Sequence, residues 1–265
     1  MVFEKNSLEN RIKSMLRVDF GRMLRSKLFY ILIACALVLP ILMTVMMRMM
    51  DGSVSVDVQT GVETVMRGPE NAWQNIGTLP GGENMGGSEI FMMCNINMMF
   101  MAVAVFVCLF ISEDFRSGYA KNLFTVRARK GDYVISKTVA GFVCGALMLV
   151  AYFLGSVLGG LMAGLSFDLH GLHAGNIFTC MLSKILLMLV FVSIFTVISV
   201  AAKQTAWLAI CGSLGGGMLL FMMVSMITPL ASTPMNVLLC GAGGALFAIG
   251  LGMVSKKILE KTALV

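Results

Sequence analysis

Six long apolar runs constrain the fold of this chain more than any other feature of its sequence. Each is long enough for a helix that rises 1.5 Å per residue to cross a hydrocarbon core ~30 Å thick. Hydrophobic residues make up 58% of the 265 residues and charged residues only 13%, against roughly 45–50% and ~25% in soluble domains. The sequence therefore predicts an all-α polytopic membrane protein, with a single transmembrane domain over residues 1–265. The predicted spans are Leu28–Met47, Ile90–Ser112, Thr138–Leu165, Cys180–Ala202, Ala206–Ile227 and Val237–Val254.

Lysine and arginine are distributed unevenly between the segments that connect these spans. All but three of the 20 basic residues lie before the first span, between the second and third, between the fourth and fifth, or after the sixth. The three exceptions are Arg48, Arg67 and Lys184. Because basic residues are concentrated on the cytoplasmic side of membrane proteins, we expect both termini in the cytoplasm and the 48–89 loop outside the cell.

An amphipathic segment precedes the first span, at residues 8–27. Its apolar residues recur at helical spacing and form one stripe, whereas most of its basic residues lie off that stripe. The stripe consists of Leu8, Ile12, Met15, Leu16, Phe20, Met23 and Leu24. A basic amphipathic helix beside a membrane span is expected to lie in the cytoplasmic interface. The alternative is a soluble helix that packs on a partner protein.

A charged segment at 113–137 follows the second span. Glu113 and Asp114 are expected at a helix N-terminus, where the helix dipole favours carboxylates. Gly118 permits a turn or a close approach. From the residues alone, the segment is either a surface that a cytoplasmic partner binds or an ordinary solvated loop.

The order of these elements resembles the permease subunits of ABC-2 type exporters (type-2 ATP-binding-cassette exporters). In that family an interfacial elbow helix precedes six spans, and the loop between the second and third spans carries a short coupling helix. The residues that fit the family's pattern in this loop are Glu113 or Asp114, Gly118, Leu123, Arg127, Tyr133 and Lys137. The stretch Ser-Glu-Asp-Phe-x-x-Gly-x-x-Lys-Asn is similar to small bacterial permeases that export antimicrobial peptides or confer immunity to them.

The resemblance implies partners and a location for this chain. Its motor would be a separate ATP-binding-cassette ATPase that holds the ATP and magnesium. A second permease copy or a paralogue would complete the assembly, in the plasma membrane of a bacterium, with no nucleic acid involved. The residues implied to couple the chain to the ATPase are Glu113, Asp114, Phe115, Arg116, Gly118 and Lys121.

The sequence contains no nucleotide-binding motif of its own. No Gly-x-x-x-x-Gly-Lys-Ser/Thr loop is present, so we expect the chain to bind no ATP by that route and to be a non-catalytic subunit. Asp168, His170 and His173 lie close in sequence, but they lack a metalloprotease pattern. We therefore expect no bound cofactor and no metal site.

Polar residues inside the predicted spans are candidates for a translocation pathway. They are Asn95, Asn97, Tyr152, Ser156, Lys184, Ser193, Thr196 and Ser199. Lys184 lies about one turn from the outer end of its predicted span, so snorkelling to the interface would account for it. The alternative for the Ser and Thr hydroxyl groups is a hydrogen bond to the backbone of their own helix, which is common for these residues.

Three other function classes remain open from the residues. They are a channel or secondary transporter without ATP, a membrane-embedded enzyme, and a membrane anchor or sensor with no transport role. The absence of Asp or Glu deep in any predicted span weakens a proton-coupled transporter, because proton relays use such groups. No Gly-x-Ser-x-Gly motif supports a hydrolase. The apolar chain with its 25 methionines favours an amphipathic, peptide-like or drug-like cargo.

Overall fold

Long α-helices make up most of the structure, a computed structural model that describes residues 8–56, 63–65, 68–77, 95–125 and 129–261. The helices are α1 Leu8–Arg25, α2 Lys27–Met49, α3 Met98–Arg116, α4 Tyr119–Thr125, α5 Lys130–Met162, α6 Ala174–Ala202, α7 Ala206–Ile227 and α8 Pro234–Lys261. Between α2 and α3 lie two short antiparallel strands, β1 Val54–Val56 and β2 Glu63–Val65, and a 3-10 helix at Ala72–Asn75.

Six of these helices are long and apolar enough to cross a membrane, namely α2, α3, α5, α6, α7 and α8. This finding confirms the predicted all-α, six-span fold class, with the amphipathic helix α1 in front of the first span. The predicted second span began at Ile90, and residues 90–94 lie outside the described residues. At 33 residues, α5 is about 50 Å long and extends well beyond a hydrocarbon core.

The connecting segment at 113–137 is more helical than a loop. The helix α3 continues to Arg116, and α5 already begins at Lys130, eight positions before the predicted third span. Between them lies the seven-residue helix α4. The spans therefore extend as rigid helices into the charged segment, which places charged side chains at helix ends.

The spans alternate in direction, so the bundle has two ends. We call one the α4 end; it holds α1, α4 and the C-terminal ends of α3, α6 and α8. We call the other the hairpin end; it holds β1, β2, the 3-10 helix and the loop between α5 and α6. The helix α5 packs against α1, α2, α3, α6 and α8, so it is the central element that connects both ends.

The helices α2 and α5 cross in close backbone contact. A Cβ atom on Gly155 would overlap the backbone carbonyl oxygen of Leu37. On Gly159 it would lie 3.0 Å from the Cα of Ile41. Small residues permit such backbone contact between membrane helices.

The helices α7 and α8 carry many large exposed apolar side chains, as expected for helices that face hydrocarbon.

The hairpin end is covered by the described part of the 48–89 segment. The Trp73 ring stacks on Phe153 of α5 with centroids 6.4 Å apart, and its Nε1 donates to the carbonyl of Phe167 at 3.1 Å. Asn75 Nδ2 donates to Thr44 Oγ1 of α2 at 2.8 Å. The 3-10 helix is thus fixed to both α2 and α5.

Candidate functional site

A cluster of four charged side chains lies at the α4 end, where α1, α3 and α5 meet. Asp19 and Arg22 come from α1, Asp114 from the last turn of α3, and Lys137 from α5. We call these four residues the charge cluster. Both carboxylates and the lysine are buried, and the Arg22 side chain is 31% exposed. Buried charges are stable in a protein when they are paired and hydrogen-bonded.

The charges in this cluster alternate and sum to zero. Lys137 Nζ lies 2.7 Å from Asp19 Oδ1 and 2.7 Å from Asp114 Oδ2. Arg22 Nη1 lies 2.6 Å from Asp114 Oδ1 and 4.0 Å from Asp19 Oδ1. The Arg22–Asp114 contact is a close ion pair. Each carboxylate is thus within ion-pair distance of both cations.

Two hydroxyl groups of α5 complete the bonding of the carboxylates. The Tyr133 hydroxyl donates to Asp114 Oδ2 at 3.0 Å. The Ser136 hydroxyl donates to Asp19 Oδ2 at 2.5 Å. Because Tyr133, Ser136 and Lys137 all lie in the first turns of α5, one helix face binds both α1 and α3.

Aromatic rings connect the cluster to α4 and to the core. The Arg22 guanidinium lies over the ring of Tyr119, the first residue of α4, at 4.5 Å. Lys137 Nζ lies 4.1 Å from the centre of the Phe110 ring, a distance that permits cation–π attraction. Burial alone would lower the pKa of Arg22, but the neighbouring carboxylates, Asp114 first, raise it above its usual value. Burial, and then the charge of Asp19, raise the pKa of Tyr119.

The junction between α3 and α4 corrects one prediction. Glu113 and Asp114 lie in the last turn of α3, not at a helix N-terminus. The prediction was wrong because α3 continues past Ser112, and its apolar face buries Asp114 together with Phe115. Gly118 then adopts a φ of +74° with nothing near its missing Cβ. It therefore serves a left-handed turn and not a close approach.

The predicted coupling residues divide into exposed and buried members. Glu113, Arg116 and Lys121 are exposed, and the first two form a surface ion pair at 3.5 Å. Asp114 and Phe115 are buried. The segment thus presents a charged surface, while its buried carboxylate joins α1 and α5 through the charge cluster. A force applied to α4 would reach three helices through these contacts.

Two of the candidate pathway residues meet near the hairpin end, and both are buried. Lys184 Nζ donates to Asn97 Oδ1 at 2.8 Å and to Thr228 Oγ1 at 3.0 Å. The expectation that Lys184 snorkels to the interface is wrong. The helix α6 begins at Ala174, which places Lys184 about 15 Å from that helix end, with no exposed surface.

The remaining pathway candidates do not gather around Lys184. Ser193, Thr196 and Ser199 each donate to the carbonyl four residues earlier in α6. Ser156 does the same on α5, where it bonds to the carbonyl of Tyr152 at 2.9 Å. Asn95 lies before α3, and its side-chain oxygen accepts from the Asn97 backbone at 2.9 Å.

The two histidines lie at the hairpin end without a set of metal ligands. His170 Nδ1 lies 3.8 Å from Asp168 Oδ2, and both side chains are largely exposed. The His173 backbone N–H donates to Asn176 at 3.1 Å at the start of α6. Within the described residues, no three His, Cys, Asp or Glu side chains lie close enough together to hold a metal.

Asp19 and Arg22 were not among the residues that the sequence singled out. A signal for Asp19 is nonetheless present, because it lies on the apolar stripe of α1, four residues after Met15 and four before Met23. A carboxylate at such a position requires a buried cation as partner. The sequence gives no sign of which cation that is.

A comparison with known protein families identifies the family of this chain. Residues 15–219 match a family described as ABC-2 family transporter protein. The match runs from α1 into α7 and contains the whole charge cluster and Lys184. Searches of curated proteins and of solved structures found no match. Since the match covers more than half of the chain, this multi-pass membrane protein belongs to the ABC-2 transporter family.

Proposed function

We propose that this chain is the permease subunit of an ABC-type exporter in a bacterial plasma membrane. It would form the pathway for an amphipathic, peptide-like or drug-like cargo, and a separate ATP-binding subunit would drive it. A second permease copy or a paralogue would complete the assembly. Family membership and six spans support a transport role. The observation that carries the proposal is the charge cluster, which fixes the exposed α3–α4 segment to α1 and α5.

The proposal includes an orientation. The α4 end faces the cytoplasm, where the ATPase is, and the hairpin end faces outward. Both chain termini then lie in the cytoplasm. The distribution of lysine and arginine supports this orientation, because the basic segments all belong to the α4 end.

In this mechanism the ATPase binds the exposed side chains of the segment, Glu113, Arg116 and Lys121. Its movement on ATP binding displaces α4 and the end of α3. Removing one partner from a buried ion pair costs about 3–5 kcal/mol, so the α4 end resists shear and moves as a unit. A second contact between α1 and α5, in which Arg11 Nε lies 3.2 Å from Asp132 Oδ2, adds to this connection.

The movement then has to shift the bundle between two packings. Transporters alternate between two arrangements that differ by a few kcal/mol. The helix α5 is suited to transmit the change, because it contacts the charge cluster at one end and the 3-10 helix at the other. A displacement of its first turn therefore reaches the hairpin end without an intervening loop.

Affinity purification of the tagged chain from native membranes tests the proposal. We expect an ATP-binding subunit to be recovered, and the purified complex to hydrolyse ATP. The charge reversals R116E and K121E should lower that recovery severalfold. The matched control R48E reverses an exposed charge at the hairpin end and should leave recovery unchanged. Recovery of the intact six-span protein without any ATP-binding subunit would refute the proposed function.

A further inference from the structure

A chain of hydrogen bonds runs from the surface of α7 to a buried lysine of α6. Ser225 Oγ on α7 accepts from Asn97 Nδ2 at 2.9 Å, and Asn97 Oδ1 accepts from Lys184 Nζ at 2.8 Å. Thr228 Oγ1 accepts from the same ammonium at 3.0 Å. We call these four residues the Lys184 site. Ser225 is exposed and the other three are buried, so the site reaches the bundle surface through one hydroxyl.

The positive charge of Lys184 is not compensated by the residues that the structure describes. Both of its partners are neutral oxygens, and no described carboxylate lies within ion-pair distance of its Nζ. An ammonium group has three donors, and these two bonds use two of them. Lys137, the other fully buried lysine among the described residues, contacts two carboxylates at 2.7 Å. The chain thus pairs one buried lysine with carboxylates and leaves the other with neutral partners.

A purely structural role does not require this charge. Lys184 joins α3, α6 and α7, but a neutral amide donor would make the same bonds without the cost of burying an ammonium. Ionisable groups inside membrane spans characteristically mark ligand or ion pathways. The uncompensated charge and the exposed end of the site therefore indicate an anionic ligand that arrives from the α7 side.

We propose that the Lys184 site binds an anionic group of the cargo, a carboxylate or a phosphate, when α7 moves away from α3 and α6. The anion would replace Asn97 and Thr228 as acceptors of the Lys184 ammonium. Ser225 would be the first polar group that it meets. This inference rests on the proposed function and narrows its cargo to amphipathic molecules that carry an oxyanion.

The test compares three probes with the same alkyl chain, decyl phosphate, decanoate and neutral decanol. The complete permease–ATPase complex is placed in phosphatidylcholine nanodiscs, and the half-maximal concentration for stimulation of ATP hydrolysis is measured for each probe. The preference for an anion is the ratio of the decanol value to the anion's value. Comparing this ratio between variants in the same lipid removes differences in partitioning.

We expect the ratio to fall about tenfold in K184M and K184Q, because both variants lose a charge-assisted hydrogen bond to the anion. In K184R, which keeps the positive charge, the ratio should stay at the wild-type value. The matched control is S183A on the neighbouring residue. Its hydroxyl is buried and has no hydrogen-bond partner among the described residues, so the ratio should equal that of the wild type. A preference only for decanoate would indicate a cargo with a carboxylate, such as a peptide C-terminus. A preference only for decyl phosphate would indicate a phosphorylated amphiphile.

A ratio that is the same in the wild type and in both neutral variants overturns the inference. A complex that hydrolyses ATP but whose ratio does not depend on Lys184 leaves the exporter function intact and rejects only the anion site. If no ATPase is recovered, the same comparison between variants is made on the permease alone. The shift in its thermal unfolding midpoint that each probe causes then replaces the half-maximal concentration. The two proposals can therefore fail separately.

Discussion

Replacing Asp114 by asparagine tests whether the charge cluster holds the α4 end together. Asparagine keeps the size of the side chain and an oxygen for the Tyr133 hydroxyl. It leaves Asp19 as the one carboxylate of the charge cluster for Arg22 and Lys137, so the buried cluster gains a net positive charge. Loss of one partner from a buried ion pair costs about 3–5 kcal/mol. At ~2–4 °C per kcal/mol, D114N should lower the unfolding midpoint by about 10 °C.

The sharper measurement is a double-mutant cycle between Asp114 and Lys137. Thermal unfolding midpoints of the purified protein are measured for D114N, K137M and the double variant. Because the double variant removes one charge of each sign, it should be less destabilised than the sum of the single variants by about 2 kcal/mol. The matched control is E113Q, since Glu113 is 55% exposed and, among the described residues, pairs only with the exposed Arg116 at 3.5 Å. Its effect should stay below about 1 kcal/mol.

Additive losses in this cycle would refute the reasoning, because independent sites do not share a buried pair. A D114N midpoint as close to the wild type as that of E113Q would refute it as well. In either case the charge cluster would not be what holds α1, α3 and α5 together. The transmission of force through the cluster would then lose its basis.

Three further predictions concern glycines and topology. G155A should destabilise the protein by about 1–3 kcal/mol, because the new methyl group overlaps a backbone oxygen of α2. G243A, on an open helix face, should be neutral or stabilising by up to ~1 kcal/mol, and equal thermal midpoints for the two variants would contradict the tight crossing. G118A should cost about 1–2 kcal/mol at the left-handed turn, and an unchanged midpoint would show that the turn relaxes freely. In a cysteine-free background, S53C should be labelled by an impermeant maleimide in intact cells and S117C only after permeabilisation; the reverse pattern would invert the proposed orientation.

The spans could be predicted because their signal is local. Each apolar run contains the information for its own helix, since length and hydropathy are sufficient to identify a span. Helix ends were less predictable. The α6 start lay six residues before the predicted Cys180, because the polar residues Asn176 and Thr179 are accommodated by capping and backbone bonds. Because α6 starts earlier, Lys184 lies within that helix and is fully buried near the hairpin end, so its side chain does not reach the interface.

The charge cluster could not be predicted because its pairs are distant in sequence. Asp19 and Lys137 are 118 positions apart, and periodicity describes only which face of its own helix a residue occupies. The apolar stripe of α1 places Asp19 on the buried face but does not identify a partner. Lys137 fitted the family pattern, yet its position at the start of a span gave no sign that two carboxylates surround it. Contacts of this kind follow from the packing of three helices.

The two buried lysines differ in a way that gives the proposed mechanism a direction. Separating Lys137 from its carboxylates would leave charges of both signs unpaired inside the α4 end, which is costly. Separating Lys184 from Asn97 and Thr228 breaks bonds only to neutral oxygens, and water or an anion can replace them. Opening the hairpin end therefore costs less than opening the α4 end. A force applied to α4 opens the hairpin end first. The same event exposes Lys184, the one buried lysine among the described residues that lacks an acidic partner, so opening and anion binding would favour each other.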